Sequence, residues 1–119
     1  MTIEVLYMSK TSLGLEENIE GLLCYLVGVI TGIIFLVLEK ESDFVKFHAM
    51  QSLVTFLSLT IIGMIVAFIP YIGGLISLLI NLVSLAFWIL GMYKAYQGER
   101  YKFPIFGDIA EDLLKKVNI

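Results

Sequence analysis

The long uncharged stretch at residues 49–93 constrains this chain more than any other feature, because it contains no Asp, Glu, Lys or Arg. As one helix at ~1.5 Å per residue it would be roughly 67 Å long, about twice the ~30 Å hydrocarbon core of a bilayer. Near its middle lie Pro70, Gly73 and Gly74; proline removes a backbone donor and glycine permits a tight reversal. The stretch therefore predicts two membrane-spanning helices, at 44–69 and 75–97, joined by a turn at 70–74.

A further span is predicted upstream. Hydrophobic residues make up 59% of the 119 residues, whereas apolar residues approach half in soluble domains. Residues 21–38 carry no charge, and with Ile19 they are long enough to span a bilayer. We expect an all-α polytopic integral membrane protein with three transmembrane helices and a short C-terminal amphipathic helix. The other expected segments are an N-terminal tail at 1–18, the first span at 19–38, a loop at 39–43 and a tail at 98–119 with its helix at 108–117.

The basic residues predict the orientation. With three spans, the N-terminal tail and the Pro70 turn share one side, where Lys10 is the one basic residue. Lys and Arg concentrate on the cytoplasmic side of membrane proteins, so the sequence predicts a cell-membrane protein with its N-terminus outside and its C-terminus cytoplasmic. Residues 1–10 lack the apolar run of a signal peptide, and Met8 is an alternative start to Met1. The basic residues of the other side are Lys40, Lys46, Lys94, Arg100, Lys102, Lys115 and Lys116.

Small and polar residues inside the spans are candidates for helix packing. Gly28 and Gly32 have the GxxxG spacing that lets another helix approach closely. Polar residues recur at three- and four-residue steps in each of the later spans, and lipid cannot satisfy their hydrogen bonds. They predict packing between the two helices or a shared cavity. The stripes are His48, Gln51, Ser52, Thr55 and Ser58 in one span, and Ser77, Asn81, Ser84, Trp88 and Gly91 in the other.

Reactive side chains are few. Cys24 is the one cysteine and His48 the one histidine, and the three-span topology separates them by most of the bilayer, which argues against a Cys–His pair. The predicted spans hold no charge in their apolar cores, which disfavours ion-coupled transport. We therefore expect a non-enzymatic protein without catalytic residues, cofactor or metal site. Lipid headgroups suit the interleaved charges of the tail better than nucleic acid does.

Three segments of the sequence resemble a known family: Gly21–Leu26, Phe44–Ser52 and Tyr96–Glu111. From about Leu15 to Glu111 the chain is similar to prokaryotic members of the Tic-twenty family, which are grouped with the chloroplast inner-envelope import component of about twenty kilodaltons. The resemblance implies an all-helical polytopic protein, and in plastids the relative participates in a protein-import translocon. Plastid members are described with four spans and a transit peptide, and the sequence predicts neither here.

The positions that match this family imply an assembly at the cytoplasmic face, where the start of the second span would dock onto the extended tail. They are Phe44, Phe47, His48, Gln51, Pro104, Gly107 and Asp108. Asp108 and Glu111 also have the spacing of a helix capping box.

The expected function is a non-enzymatic component of a protein translocation or membrane assembly complex. Its expected partners are the lipid bilayer and further copies of itself or other membrane proteins. The alternative is an oligomeric transporter or channel for small solutes or lipid. Its passage would be lined by His48, Gln51, Thr55, Asn81 and Ser84.

Overall fold

The computed structural model describes residues 16–117, and over this range the chain forms five α-helices. They are α1 (Glu17–Leu26), α2 (Val29–Leu38), α3 (Asp43–Val66), α4 (Gly73–Tyr96) and α5 (Phe106–Val117). The all-helical prediction is confirmed for this range. Most of the predicted tail at 1–18, including Met8, lies outside it. Two of the described helices, α3 and α4, are long and apolar enough to cross a membrane, each being roughly 36 Å long at ~1.5 Å per residue.

The segment predicted as the first span, 19–38, is a helical hairpin and not one helix. α1 and α2 have ten residues each, so each is roughly 15 Å long, about half of the ~30 Å hydrocarbon core. They are separated at Val27 and Gly28, where the glycine has φ +59° and ψ −118°, a conformation that side chains rarely allow. The prediction of a single helix here is wrong, because an uncharged run does not reveal whether the chain continues or turns back.

The two outer ends of this hairpin meet at the start of α3. The Ser42 hydroxyl donates to Glu17 Oε2 at 2.8 Å, and the Ser42 N–H donates to Glu39 Oε2 at 2.9 Å. The tip of the hairpin lies farther along α3, where the carbonyl of Gly28 accepts a hydrogen bond from Ser52. The chain thus enters and leaves the hairpin at one end of the molecule. Tyr96 lies at the same end, because Asn18 Nδ2 donates to its carbonyl at 3.2 Å. We call this end, which contains Glu17, Ser42 and Tyr96, the basal end.

α3 and α4 form the long hairpin that the sequence predicts, with shifted ends. The Ser42 side chain caps α3 by accepting from the Val45 N–H. The turn occupies 67–72, where the prediction placed it at 70–74, and Tyr71 there has φ +68°. Ser77 Oγ donates to the carbonyl of Gly63 at 3.1 Å and joins the two helices near this turn.

The buried core lies in the basal half of the molecule. In α3 the buried residues fall between Val45 and Leu59, and toward the end of α4 they are Gly91 and Ala95. From Thr60 to Leu90, Gly73 is the one buried residue. Within residues 16–117, α1, α2 and α5 therefore surround the long hairpin on one half only, and the other half consists of α3 and α4 alone.

α5 packs against α3 and begins earlier than predicted. It starts at Phe106, where the sequence placed it at Asp108, and Ala110 is buried in the core. The capping box is not formed, because Asp108 lies within the helix and its carboxylate pairs with Lys102 at 3.2 Å. Ile109 and Leu113 remain exposed.

Candidate functional site

A buried hydrogen-bond network joins α1 to α3 in the basal half. The Tyr25 hydroxyl lies 2.7 Å from His48 Nδ1, and Gln51 Nε2 donates to the same hydroxyl at 2.8 Å. Because the Tyr25 oxygen accepts from Gln51, its own hydrogen is available to His48 Nδ1. His48 Nε2 then carries the ring proton and donates it to the carbonyl of Glu99 at 2.9 Å. This assignment, made from the hydrogen-bond partners, gives a neutral imidazole with both nitrogens in use.

The same network holds the non-helical segment at 97–105 between α4 and α5, which we call the strap. Gln51 donates to the Tyr101 carbonyl at 3.0 Å, and its Oε1 accepts the Phe103 N–H at 2.9 Å. Together with the bond from His48 to Glu99, two side chains satisfy three backbone groups of the strap. Non-helical backbone that enters an apolar region needs such partners. His48 and Gln51 thus fix the strap against α3.

Aromatic rings surround this network. Phe44 and Phe47 pack edge-on against His48, with ring centroids 4.6 and 5.4 Å away. Phe103 of the strap is buried, 4.7 Å from Phe87 and 5.9 Å from Tyr25 between ring centroids. These contacts exclude water from the hydrogen bonds that hold the strap.

The remaining predicted tail positions differ in environment. A Cβ on Gly107 would lie 2.9 Å from Gln51 Oε1, so the glycine permits the close approach of α5. Pro104 and Asp108 are exposed. The structure therefore brings Phe44, Phe47, His48, Gln51 and Gly107 together and leaves Pro104 and Asp108 at the surface. Their role in interaction stays a prediction.

Charged pairs link the strap to α5 outside the buried network. Lys102 Nζ lies 3.2 Å from Asp108 and 3.4 Å from Glu111, and Glu111 also pairs with Lys115 at 3.6 Å. The hydrogen bonds that the Lys102 ammonium donates to Asp108 and Glu111 raise the pKa of Lys102 above its ordinary value. The hydrogen bond from Lys102 lowers the pKa of Glu111. Both shifts favour the charged forms of Lys102 and Glu111, so this ion pair adds to the attachment of α5 to the strap.

Polar side chains satisfy the backbone at the tip of the α1–α2 hairpin. Thr31 Oγ1 accepts the Val27 N–H and donates to the Cys24 carbonyl. Trp88 Nε1 donates to the Leu26 carbonyl at 3.3 Å, and Ser52 donates to Gly28 at 3.0 Å. Non-helical backbone at membrane depth is tolerated where protein groups satisfy it in this way.

The two glycines of the GxxxG pattern occupy different structural environments. Gly28 forms the turn of the hairpin, while Gly32 lies against α3, where a Cβ would be 3.0 Å from the carbonyl oxygen of Ala49. They do not share the face of one continuous helix as the sequence pattern predicted. The predicted distance between Cys24 and His48 is also wrong. Cys24 Sγ is 3.7 Å from the Val45 carbonyl, and the adjacent Tyr25 bonds His48.

A groove of about 720 Å³ lies beyond the hairpin tip, between α3 and α4. Of the five residues predicted to line one passage, Asn81 and Ser84 are here, His48 and Gln51 belong to the network, and Thr55 is buried. Ser84 Oγ donates to the Ile80 carbonyl of its own helix at 2.9 Å. Asn81 is exposed, and its amide makes no hydrogen bond to any residue of 16–117.

Sequence reasoning missed Tyr25, which connects the two halves of the network. A tyrosine inside an apolar segment usually needs a partner for its hydroxyl, and that signal was available. It also missed that the partners of His48 and Gln51 are backbone groups of the strap, because nothing in the residue types at 99–103 marks them as bonded.

These elements define a small all-helical membrane protein in which two long apolar helices carry an inserted helical hairpin and a tail fixed to their base. The chain belongs to the MamF/MmsF family: the model of the magnetosome magnetite crystal formation protein family matches residues 16–110. The assignment to the Tic-twenty family is therefore wrong. The segments quoted for it, Gly21–Leu26, Phe44–Ser52 and Tyr96–Glu111, fall within the matched range or end one residue beyond it.

Curated relatives with membrane-protein names support this membership. A UPF0132 membrane protein of Methanocaldococcus jannaschii is 61% identical over 107 residues, which cover 90% of this chain and 96% of the relative. A second from the same organism is 62% identical over 100 residues, covering 84% of this chain and 71% of the relative. One from Archaeoglobus fulgidus is 52% identical over 97 residues, covering 82% and 94%. No solved structure shows a significant match to this chain.

Proposed function

We propose that this chain is a non-enzymatic integral membrane protein that acts by associating with further copies of itself in the bilayer. α3 and α4 cross the membrane, and the basal end faces the cytoplasm. The distribution of charge supports this orientation, because every Lys and Arg of the described residues lies in 40–46 or 94–116 and none lies in the turn at 67–72. The use of both His48 nitrogens in the network, and the burial of Cys24, support a non-enzymatic role.

The translocation role expected from the sequence is not kept, because it depended on the Tic-twenty resemblance. The family name refers to magnetite crystal formation in magnetosomes, whereas the names of the curated relatives state a membrane protein and no activity. The proposal takes from the family its membrane setting and rests otherwise on the geometry of this chain.

The observation that carries the proposal is the free amide of Asn81. It lies well inside α4, at a depth where lipid offers no hydrogen-bonding groups. An asparagine amide both donates and accepts, so two Asn81 side chains related by a two-fold axis satisfy each other in a self-complementary contact. The groove beside Asn81 gives apolar side chains of the second copy a place to pack. Hydrogen bonds between membrane helices contribute about 0.6–2 kcal/mol each.

The test compares two neighbouring variants in vesicles. Energy transfer between differently labelled copies, measured against protein density, gives the dissociation constant. Asn81→Leu is expected to weaken association about 3- to 30-fold, which corresponds to the 0.6–2 kcal/mol of such a bond. Ser84→Ala is the matched control, because the Ser84 hydroxyl bonds its own helix, and it should associate like the wild type. A wild-type chain that stays monomeric at every density, or an Asn81→Leu variant with unchanged association, would contradict the proposal.

The alternative of an oligomeric transporter or channel requires polar residues that line one passage. Two of the five candidates, His48 and Gln51, are instead occupied in holding the strap. No contact among the described residues favours the transporter over self-association.

A further inference from the structure

The cross-section of the molecule differs between its two halves. In the basal half, α1, α2 and α5 pack around the start of α3 and the end of α4. In the other half no further described helix packs on α3 and α4, and apart from Gly73 no residue from Thr60 to Leu90 is buried. When α3 and α4 cross a bilayer, the basal half lies in one leaflet and the bare half in the other.

The size of the difference follows from helix geometry. A helix with its side chains is about 10 Å across and therefore occupies roughly 80 Å² of a leaflet. α1 and α2 are each roughly 15 Å long, which matches the depth of one leaflet of the ~30 Å core. The hairpin thus adds about 160 Å² to the basal leaflet and nothing to the opposite one. The bonds from Ser52 and Trp88 to the hairpin tip hold it at this depth.

α5 adds to the same leaflet. Its residues Ile109 and Leu113 are exposed, as is Ile105 just before the helix, while Lys115 and Lys116 lie in its last turn. A helix with an exposed apolar face and basic residues inserts at the level of the headgroups, and such insertion depends on curvature. The apolar side chains of α5 therefore take up space in the outer part of the basal leaflet.

We propose that this chain is a membrane wedge that favours curved bilayers with its basal end on the convex side. A leaflet that contains more inserted area is relaxed when it forms the outer surface of a curved membrane, so the free energy of the inserted chain depends on the sign of curvature. The wedge rests on the two-span arrangement proposed above and not on self-association.

The test uses the full chain with a C-terminal tag, reconstituted from detergent into small and large vesicles of one lipid composition, phosphatidylcholine with phosphatidylglycerol. Protease added outside measures the fraction of molecules whose tail faces outward. We expect the ratio of outward to inward molecules to be at least about twofold higher in the small vesicles, because their outer leaflet is convex. A ratio that does not change with vesicle diameter would overturn the proposal.

Two variants separate the sources of the effect. The double variant Ile109→Glu with Leu113→Glu removes the exposed apolar face of α5, and it should lower the orientation ratio in small vesicles. Asp112→Asn, on the polar side of the same helix, is its control and should have the same orientation ratio as the wild type. An unchanged ratio in the double variant would assign the wedge to the α1–α2 hairpin and still support it.

The variant Asn81→Leu distinguishes this inference from the proposed function. It should weaken association and keep its orientation preference, since the wedge belongs to a single copy. A preference that disappears together with association would show that the oligomer produces it, and would overturn a wedge formed by one chain.

Discussion

At the scale of residues, Tyr25 determines how firmly the tail is attached. Its hydroxyl both donates to His48 and accepts from Gln51, and these two side chains in turn bind the strap. Buried polar groups are costly when one partner is removed, because the other partner is left without a hydrogen bond in an apolar environment. The network therefore depends on one oxygen atom from α1.

Tyr25→Phe is expected to destabilise the folded chain by about 1–3 kcal/mol, the usual cost of leaving buried polar groups unsatisfied. Unfolding by denaturant in detergent measures the stability, and protease cleavage at Arg100 measures release of the strap. Stability should fall and cleavage at Arg100 should rise. His48→Ala should also expose Arg100, because it leaves the Glu99 carbonyl without its hydrogen bond.

Asp108→Ala is the control for this prediction. Its carboxylate is exposed and pairs with Lys102 at the surface, and exposed ion pairs contribute about 0–1 kcal/mol. The sequence predicted that His48 and Asp108 both take part in docking the tail, whereas in the structure His48 bonds the strap and Asp108 is exposed. Equal protease sensitivity of Tyr25→Phe and Asp108→Ala would contradict the role of the network.

At the scale of elements, the sequence predicts α3 and α4 and fails at α1 and α2. Length and lack of charge suffice for the long helices, since a run that is twice the bilayer thickness must turn once, and Pro70 indicates where. The run at 21–38 has the length of one span, so hydropathy gives no reason to divide it. Its reversal depends on the backbone of Gly28 and on bonds from Thr31, Ser52 and Trp88, which are contacts between segments that a linear pattern does not contain.

Packing of α1 on α4 gives a prediction at this scale. A Cβ at Gly91 would lie 2.7 Å from the Tyr25 ring, so Gly91→Ala should push α1 away from α4 and cost about 1–3 kcal/mol, as overpacking does. Gly74→Ala is the matched control in the first turn of the same helix, where no atom lies within 4 Å of the added Cβ. Alanine favours helix by up to about 1 kcal/mol over glycine, so this control should be as stable as the wild type or more stable. Denaturation in detergent compares the two, and equal losses would contradict close packing at Gly91.

At the scale of the whole molecule, the hairpin changes which ends of the chain share a side. Three spans predicted an N-terminus opposite the C-terminus, but Glu17 at the start of α1 lies at the basal end together with Tyr96, through the bonds of Ser42 and Asn18. The basic residues support a cytoplasmic basal end in either arrangement, so charge counting alone could not reveal the difference. The membrane character of the chain was predictable from composition, and the reversal of the chain between Glu17 and Leu38 was not.

Labelling in intact cells distinguishes the two arrangements. With two spans and a basal hairpin, tags at the N-terminus and the C-terminus should both be protected from a membrane-impermeant reagent and become accessible after permeabilisation. In a Cys24→Ala background, Tyr71→Cys should be labelled from outside without permeabilisation, because Tyr71 is exposed in the turn between α3 and α4. An N-terminal tag that is labelled in intact cells while the C-terminal tag is protected would mean that the first segment crosses the bilayer. In that case the hairpin, and with it the wedge, would not exist in the membrane.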